Sequence, residues 1–219
     1  MRITHLGHAC LLVEMADIRL LIDPGTFSDD DVLTLRDLDA VLVTHQHPDH
    51  LDPRRVPDIV AANPDARVVC DPGSADVLAG LGVDAEAHDG TSTVGPVRIT
   101  PVGTIHALIH EDIPRIPNVG VRLDADGEPA FFHPGDALDA DPGPVEVLAF
   151  PLQAPWARSR DMTGFLRRLG APHAVPVHDG LLQRRGRELY LGQAARLGHD
   201  ETRIHDLAGR GAVEFRAGE

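Results

Sequence analysis

An apolar strand-like run followed at once by a dense group of histidines is the feature that most restricts the fold of this chain. Residues 39–52 read DAVLVTHQHPDHLD, so the apolar run ends at Thr44 and three imidazoles and a carboxylate follow within six residues. His45 and His47 are two residues apart, and they point the same way if the extended conformation continues briefly. The function of the chain is therefore to be sought at this strand end.

The rest of this loop adds a second pair of donors. Pro48 fixes its own φ and turns the chain, which lets Asp49 and His50 face a neighbouring point. Imidazole nitrogen and carboxylate oxygen are ligands for zinc, iron or manganese. A solvated polar loop with incidental histidines is the alternative, but the H-x-H-x-D-H spacing is far more specific than a lone histidine. The sequence predicts that one loop supplies two adjacent metal positions.

Three later residues could close such a site, and each comes just past a predicted strand. They are His106 in GTIH, Asp136 in FFHPGD and His178 in VPVH. Loops at one edge of a sheet converge, so donors from distant parts of the sequence can meet there. Asp136 would bridge two cations and supply negative charge. Asp23, which ends another apolar run, could hydrogen-bond a ligand histidine from outside the metal shell.

Short apolar runs alternate with a few helical segments along the chain. Residues 9–14 and 18–23 predict a β-hairpin, and further strands are predicted over 40–44, 66–70, 97–100, 119–123, 130–132, 145–150 and 174–177. Helices are predicted over 74–81, 161–169 and 188–197, each ending at a glycine. Cys10 and Cys70 lie in strand-like segments, which favours buried free thiols over a disulfide. Sheets covered by helices are indicated, in the α/β or α+β class.

The H-x-H-x-D-H loop, followed by single His, Asp and His residues at strand ends, resembles the metallo-β-lactamase superfamily over nearly the whole chain. THLGHA at 4–9, LIDPG at 21–25 and FHPGD at 132–136 are similar to the small bacterial metal-dependent hydrolases grouped with ascorbate-6-phosphate lactonase. The resemblance implies a four-layer αββα sandwich with the site along one sheet edge. It also implies two divalent metal ions (zinc, manganese or iron), one held by His45, His47 and His106, the other by Asp49, His50 and His178, with Asp136 between them.

Departures from the wider superfamily narrow the expected chemistry. β-Lactamases that bind two zincs usually carry Cys where Asp136 stands, so antibiotic hydrolysis is not favoured. The oxygen-reducing diiron branch places Glu where His47 stands and has a flavin domain, for which 219 residues leave no room. Nucleases of the superfamily carry an inserted domain or an RNA-gripping arm, of which the sequence shows no sign.

We therefore expect a hydrolase in which two metal ions generate hydroxide that cleaves a lactone, ester or phosphoester bond of a small molecule. Asp49 would orient the hydroxide and take up its proton, so Asp49 and Asp136 are the expected catalytic carboxylates. The alternative is a non-catalytic metal-binding or regulatory protein with the same ligands.

A further group of residues could contact substrate or support the site. The resemblance places His8 close to the metals, and Trp156 follows a strand end where superfamily members build part of the substrate pocket. Guanidinium groups match phosphate and carboxylate bidentately, which makes arginines near the site candidates for a clamp. For every member of the group, a packed or solvated side chain is the alternative. The substrate candidates are His8, His110, Trp156, Arg115, Arg158 and Arg160, and His133 is a candidate for support of the ligands.

Composition excludes other classes of function. All 20 basic residues are Arg, which excludes Schiff-base chemistry and a phosphate-loop lysine. The net charge of −14 opposes non-specific attraction to nucleic acid. No apolar run approaches the roughly 20 residues of a membrane helix, and no secretory signal is evident. We expect one hydrolase domain over 1–219, cytoplasmic and bacterial, with a small-molecule substrate, no nucleic-acid or membrane partner, and a homo-oligomer left open.

Overall fold

A computed structural model of the chain describes residues 1–218, and the fourteen strands of this range form two mixed sheets of seven strands each. The first sheet has the order β14-β1-β2-β3-β4-β5-β6. Strands β1, β3, β4, β5 and β6 run in one direction, because β1 and β3 both pair antiparallel with β2 and the pairs from β3 to β6 are parallel. The edge strand β14 pairs antiparallel with β1. The strands are β1 (Arg2–His5), β2 (Leu11–Met15), β3 (Ile18–Ile22), β4 (Ala40–Val43), β5 (Arg67–Cys70), β6 (Glu86–Ala87) and β14 (Val213–Glu214).

The second sheet has the order β13-β12-β11-β10-β9-β8-β7. Strands β8, β10, β11, β12 and β13 share a direction, because β8 and β10 pair antiparallel with β9 and the next three pairs are parallel. The strands are β7 (Ser92–Val94), β8 (Val97–Val102), β9 (Gly120–Asp124), β10 (Phe131–His133), β11 (Val147–Pro151), β12 (His173–Val177) and β13 (Arg203–Ile204).

Strand alternation separates the molecule into four layers. In β4, Leu42 packs into the core between the sheets, whereas its neighbour Val41 packs on the outer face with α1 and α2. In β10, Phe131 enters the same central core, whereas Phe132 packs outward against α3 and α4. This period of two confirms the predicted αββα sandwich. The helices are α1 (Val56–Ala61), α2 (Pro72–Gly80), α3 (Ser159–Leu169) and α4 (Arg184–Leu197), and residues Asp30–Thr34 form a 3₁₀ turn.

Helix ends depart from the predicted limits for local reasons. Helix α2 begins two residues before the predicted start, because the Asp71 carboxylate accepts hydrogen bonds from the backbone N–H groups of Gly73 and Ser74, at 2.8 and 3.1 Å. Gly170 ends α3 in the left-handed conformation, at φ 58°, as a glycine stop requires. Gly198 ends α4 with φ −74°, so its role is different: a Cβ there would lie 2.5 Å from the Ala194 carbonyl oxygen.

Several short elements are absent from the sequence-based assignment. Strands β1 and β7, helix α1 and the two-residue strands β6, β13 and β14 were not predicted. Only Ile3 of β1 is fully buried and apolar, and the strand exists because it pairs on both sides, with β2 and β14. Such pairing depends on residues far away in the sequence, so a local pattern does not reveal it.

Two further sequence-based expectations concern thiols and membranes. Cys10 and Cys70 are free and buried, as predicted. Burial raises the pKa of both thiols, that of Cys70 to about 12, so both are unreactive at neutral pH. Within residues 1–218, none of the helices combines the length and the hydropathy of a membrane span.

Gly25 shows how tightly the loop after β3 packs against the histidine loop. A Cβ at this position would lie 1.9 Å from the carbonyl oxygen of Asp49 and 2.5 Å from the backbone nitrogen of His50. No side chain fits there without moving the backbone that carries two predicted metal ligands. The glycine is therefore required by close backbone approach.

We predict opposite effects for two glycine substitutions. Gly25→Ala should lower the free energy of unfolding by about 1–3 kcal/mol, because it forces the loops apart. Gly192→Ala, in α4, should raise it by about 0.5–1 kcal/mol, because nothing lies within 4 Å of the added Cβ and alanine favours the helix. Chemical denaturation of both variants checks this. Equal midpoints for Gly25→Ala and the parent chain would contradict the packing argument.

Candidate metal centre

The polar residues of the site follow strands that run in the same direction. Asp23 directly follows β3, His45 comes two residues after β4, and His178 directly follows β12. Two backbone hydrogen bonds join the sheets at this edge, from His178 N–H to the His8 carbonyl and from Val119 N–H to the Thr44 carbonyl, both 2.9 Å. Strands from both sheets therefore deliver their loops to one place.

All seven predicted metal ligands meet there. Donor atoms within 4.8 Å of one another form three overlapping groups that could each hold a metal ion. The first contains His45, His47 and His106; the second His8, Asp49, His50 and His178; the third His45, His50 and Asp136. We call the seven predicted ligands His45, His47, Asp49, His50, His106, Asp136 and His178 the donor cluster.

Asp136 lies between the first two groups. Its Oδ1 is 3.4 Å from Nε2 of His50, and its Oδ2 is 3.3 and 3.2 Å from Nε2 of His106 and His178. The indole N–H of Trp156 donates to Oδ2 at 3.0 Å, and this interaction fixes the orientation of the carboxylate. One carboxylate thus faces donors of both groups, as a bridging ligand must.

Backbone carbonyls orient two of the histidines. The Nδ1–H of His106 donates to the Ala107 carbonyl at 2.7 Å, and that of His178 donates to the Gln153 carbonyl at 2.8 Å. Because Nδ1 carries the hydrogen in each neutral ring, Nε2 keeps its lone pair. Such outer hydrogen bonds fix the tautomer and direction of metal-binding imidazoles.

Asp23 orients two more histidines through one buried carboxylate. Its Oδ2 accepts from Nδ1–H of His50 and from the Thr44 hydroxyl, each at 2.7 Å, and its Oδ1 accepts from the Thr44 backbone N–H at 2.7 Å. Because the hydroxyl hydrogen of Thr44 is used on Asp23, its oxygen accepts from Nδ1–H of His45, at 3.1 Å. Both rings therefore also present Nε2 to the cluster.

The Nε2 atoms of four imidazoles consequently converge without hydrogen bonds. Among the described residues, Nε2 of His45, His50, His106 and His178 is buried and has no hydrogen-bond partner, as is Oδ1 of Asp136. Burying unpaired polar atoms costs about 1–3 kcal/mol each, so such a concentration demands an explanation. A divalent cation accepts these donors and neutralises the carboxylates, so the residues present fit a metal site.

His8 lies behind Asp49. It is 1% exposed, and its Nδ1 accepts from the Gly180 backbone N–H at 3.0 Å. Its hydrogen is therefore on Nε2, which donates to Oδ2 of Asp49 at 3.2 Å. His8, which was predicted to contact substrate, therefore hydrogen-bonds Asp49 of the donor cluster and orients its carboxylate.

For several residues of the donor cluster, neighbouring charges shift the pKa in the direction opposite to the effect of burial. Burial lowers the pKa of His45 well below its ordinary value, so this ring is neutral. Burial also disfavours charge on His178, but Asp136 outweighs it and raises the pKa to about 9; Asp136 and Asp23 likewise raise the pKa of His50 well above its ordinary value. Burial favours neutral Asp136, yet His178 and His50 hold its pKa well below the usual range. In the metal-free chain, protons on two histidines take the place of cations.

The other predicted residues lie in varied surroundings. His133 is buried and its Nε2–H donates to the Ala9 carbonyl at 3.1 Å, which links the two sheets below the site. The side chain of His110 is 58% exposed. Arg115 donates from Nε to the His106 carbonyl at 2.7 Å. Arg158 precedes α3, and its backbone N–H donates to the Asp161 carboxylate at 2.9 Å.

Sequence reasoning missed several residues that position the donors. Thr44 links Asp23 to His45, and Asn118 accepts from the Asp136 backbone N–H at 2.9 Å through Oδ1. Gln153 and Gly180 act only through their backbone atoms. Thr44 stood next to the histidine loop and could have been found there, whereas backbone donors and acceptors leave no trace in residue type.

Comparison with known proteins identifies the family. Residues 2–178 match the family described as the β-lactamase superfamily domain. The chain belongs to this superfamily. Protein Rv0786c of Mycobacterium tuberculosis is 38% identical over 218 residues, which cover 98% of this chain and 100% of that protein. A UPF0173 metal-dependent hydrolase of Rubrobacter xylanophilus is 30% identical over 200 residues, or 82% of this chain and 81% of that protein.

The solved structures agree on the fold. Igni18, a metallo hydrolase from the archaeon Ignicoccus hospitalis, superposes with a TM-score of 0.72 at 18% identity, covering 98% of this chain and 99% of that one. The predicted superfamily and fold class are confirmed. Three of the relatives that match this chain carry the name UPF0173 metal-dependent hydrolase.

We predict that Asp23→Asn weakens metal binding about 10- to 100-fold. The amide would place N–H hydrogens where Thr44 and His50 both donate, so His50 would move its hydrogen to Nε2 and lose the lone pair that faces the cluster. Titration with zinc against a competing chelator measures the change. Asp126→Asn, at an exposed turn position, is the matched control and should bind as the parent chain does. Equal affinities for the two variants would show that Asp23 does not set the tautomer.

We predict that metal binding at pH 7 releases up to one proton each from His50 and His178. Both folded-state pKa values are raised, that of His178 to about 9, so both rings are protonated below these values and must lose a proton to coordinate. The stability that the proton of His178 gives the metal-free chain is fully present below pH about 6.5 and is lost as pH rises through about 9. Metal affinity should run the opposite way and rise with pH, and the part of this rise that is due to His178 should level off above about 9.

Calorimetry in buffers of different ionisation enthalpy counts these protons. The share of the count that comes from His178 should fall away as pH rises through about 9, because that ring is then neutral before metal arrives. A count of zero at pH 7 would contradict the assigned charges of His50 and His178.

Proposed function

We propose that this chain hydrolyses a lactone, ester or phosphoester bond of a small molecule with the help of two divalent metal ions, zinc, manganese or iron. The observation that carries the proposal is the convergence of four buried Nε2 atoms without hydrogen bonds around Asp136, between two donor groups. Seven donors exceed the four that one tetrahedral zinc takes. His45, His47 and His106 would hold one ion; Asp49, His50 and His178 would hold the other; and Asp136 would touch both.

Bound ions would lower the pKa of a shared water and polarise the oxygen of the bond that is attacked. Asp49 is placed to orient such a water. Burial favours its neutral form, but the His178 ring 3.5 Å away and the hydrogen bond from His8 hold its pKa far below the usual range, so the carboxylate is ionised. A carboxylate of such low pKa is a weak base, so orientation is its main role and it holds the proton only briefly.

The openness of one side of the cluster favours catalysis over a closed metal-binding or regulatory protein. His47 is only partly buried and the Asp49 side chain is 25% exposed, whereas His45, His50, His106 and His178 are buried. A groove of about 500 Å³ also lies beside the cluster, lined by Trp156 and Ala107 among others. That volume suits a small molecule.

We predict that Asp136→Asn lowers kcat/KM by more than about 100-fold, because the charge between the two donor groups is lost. The variant should keep its fold, while its metal content falls. Rates on a lactone, a carboxylic ester and a phosphodiester are measured with zinc-, manganese- and iron-loaded protein, alongside elemental analysis. Asp126→Asn is the control and should keep full activity. Stable binding of metal with no turnover of any of the three bond types by the parent chain would instead support the non-catalytic alternative.

A further inference from the structure

A groove beside the donor cluster is lined by several arginine side chains, although the protein as a whole is acidic. Arg115, Arg160 and Arg168 line it, together with the carboxylates of Asp139 and Asp161, so its local balance is positive while the whole chain carries −14. At physiological ionic strength, salt screens the acidic residues that lie more than about 8 Å from the groove, so they have little effect on a ligand bound there. The local balance therefore decides which ligands enter. We call this site the arginine groove.

Two of these guanidinium groups are anchored without being neutralised. Arg115 donates from Nε to the His106 carbonyl at 2.7 Å, and Arg168 donates to the carbonyls of Leu138 and Ala140 at 2.7 and 2.9 Å. Within residues 1–218, neither side chain forms an ion pair with a carboxylate. The carbonyls hold each side chain in place, while the full positive charge remains available to a ligand.

The positive charge of the third guanidinium group, that of Arg160, is only partly neutralised by the acidic residues of the groove. Arg160 lies 3.5 Å from the Asp161 carboxylate, but its side chain is 76% exposed. Asp161 also accepts from the backbone N–H of Arg158 at the start of α3, so its charge is shared. An exposed ion pair of this kind contributes little to stability. Replacing the Asp161 carboxylate by an anionic group of a ligand therefore costs little free energy.

The groove joins the donor cluster through two direct contacts. Trp156, which lines the groove, donates to Asp136 and packs edge-on against the His106 ring at 5.8 Å. Arg115 donates a hydrogen bond to the backbone carbonyl of His106. A molecule whose scissile bond reaches the donor cluster would thus extend along Trp156, Leu108 and Phe165 toward the arginines.

Helix α3 explains which arginines belong to the groove. Positions 160, 161, 164, 165 and 168 recur at helical spacing on one face and all line it. Arg158, which was also predicted as a clamp residue, lies before the first turn and does not line the groove, whereas Arg168 does. Arg115 and Arg160 lie where the clamp was predicted.

We infer that the substrate is an organic anion with an apolar body, whose carboxylate or phosphate group is bound by Arg115, Arg160 and Arg168 while its scissile bond lies at the donor cluster. The inference rests on the proposed function. Guanidinium forks bind both kinds of anion bidentately, and the apolar side chains beside them suit an alkyl or aryl portion.

A pair of esters of equal length tests the inference. 4-Nitrophenyl hemisuccinate and 4-nitrophenyl butyrate share a leaving group and differ by a terminal carboxylate. The metal-loaded parent chain should prefer the hemisuccinate in kcat/KM, and Arg160→Gln and Arg115→Gln should each reduce this preference roughly 5- to 10-fold. Arg184→Gln, at an exposed position on α4, is the matched control and should leave both rates unchanged. Equal preference in all four proteins would overturn the inference.

Binding of non-hydrolysed amides separates this inference from the proposed function. The 4-nitroanilides of succinic, 3-phosphonopropionic and butyric acid are titrated into the same proteins. Tighter binding of either anionic anilide than of the neutral one, lost in Arg160→Gln but kept in Arg184→Gln, supports the arginine groove even if no ester is cleaved, and the tighter of the two identifies the anion. Equal binding of all three anilides would overturn the inference even if both esters are cleaved.

Discussion

The site depends on the buried carboxylate of Asp23. Its two oxygens accept three hydrogen bonds, two from Thr44 and one from His50, and through Thr44 it also sets the hydrogen of His45. These contacts join the ends of two parallel strands of the first sheet and turn two imidazoles so that Nε2 faces inward. A buried charge is costly unless it is paired and hydrogen-bonded, and here every partner also directs a metal donor.

Backbone strain is concentrated at the same place. His8, Asp23 and His178 all adopt positive φ, at 53, 50 and 58°, which non-glycine residues rarely do. Each directly follows, or lies within three residues of, a strand that ends at the site. The left-handed turns redirect side chains across the gap between the sheets, and the hydrogen bond from His178 to the His8 backbone locks two of the turns together. Strain of this kind persists where surrounding contacts hold it and is typical of functional sites.

Charge is organised on two scales. The chain as a whole is acidic, yet the donor cluster collects imidazoles around Asp49 and Asp136, and the neighbouring groove collects guanidinium groups that carbonyls hold in place. The carboxylates match the charge of divalent ions, and the arginines match the charge of an anionic substrate. Each of these charge complementarities acts only within its own site, because salt screens electrostatic interactions over distances beyond about 8 Å.

Much of the site could be predicted from the sequence, because its donors come in a tight motif or stand just past recognisable strands. The H-x-H-x-D-H loop, the three later ligands, Asp23 and the four-layer fold follow from residue type, spacing and family resemblance. The tertiary structure decided what depends on backbone groups and distant pairing: strand β1, the tautomer of His8 set by the Gly180 N–H, and the membership of Arg168 in the groove instead of Arg158. Residue type records which chemistry a side chain carries, but its direction and its partners are set only when both sheets pack together.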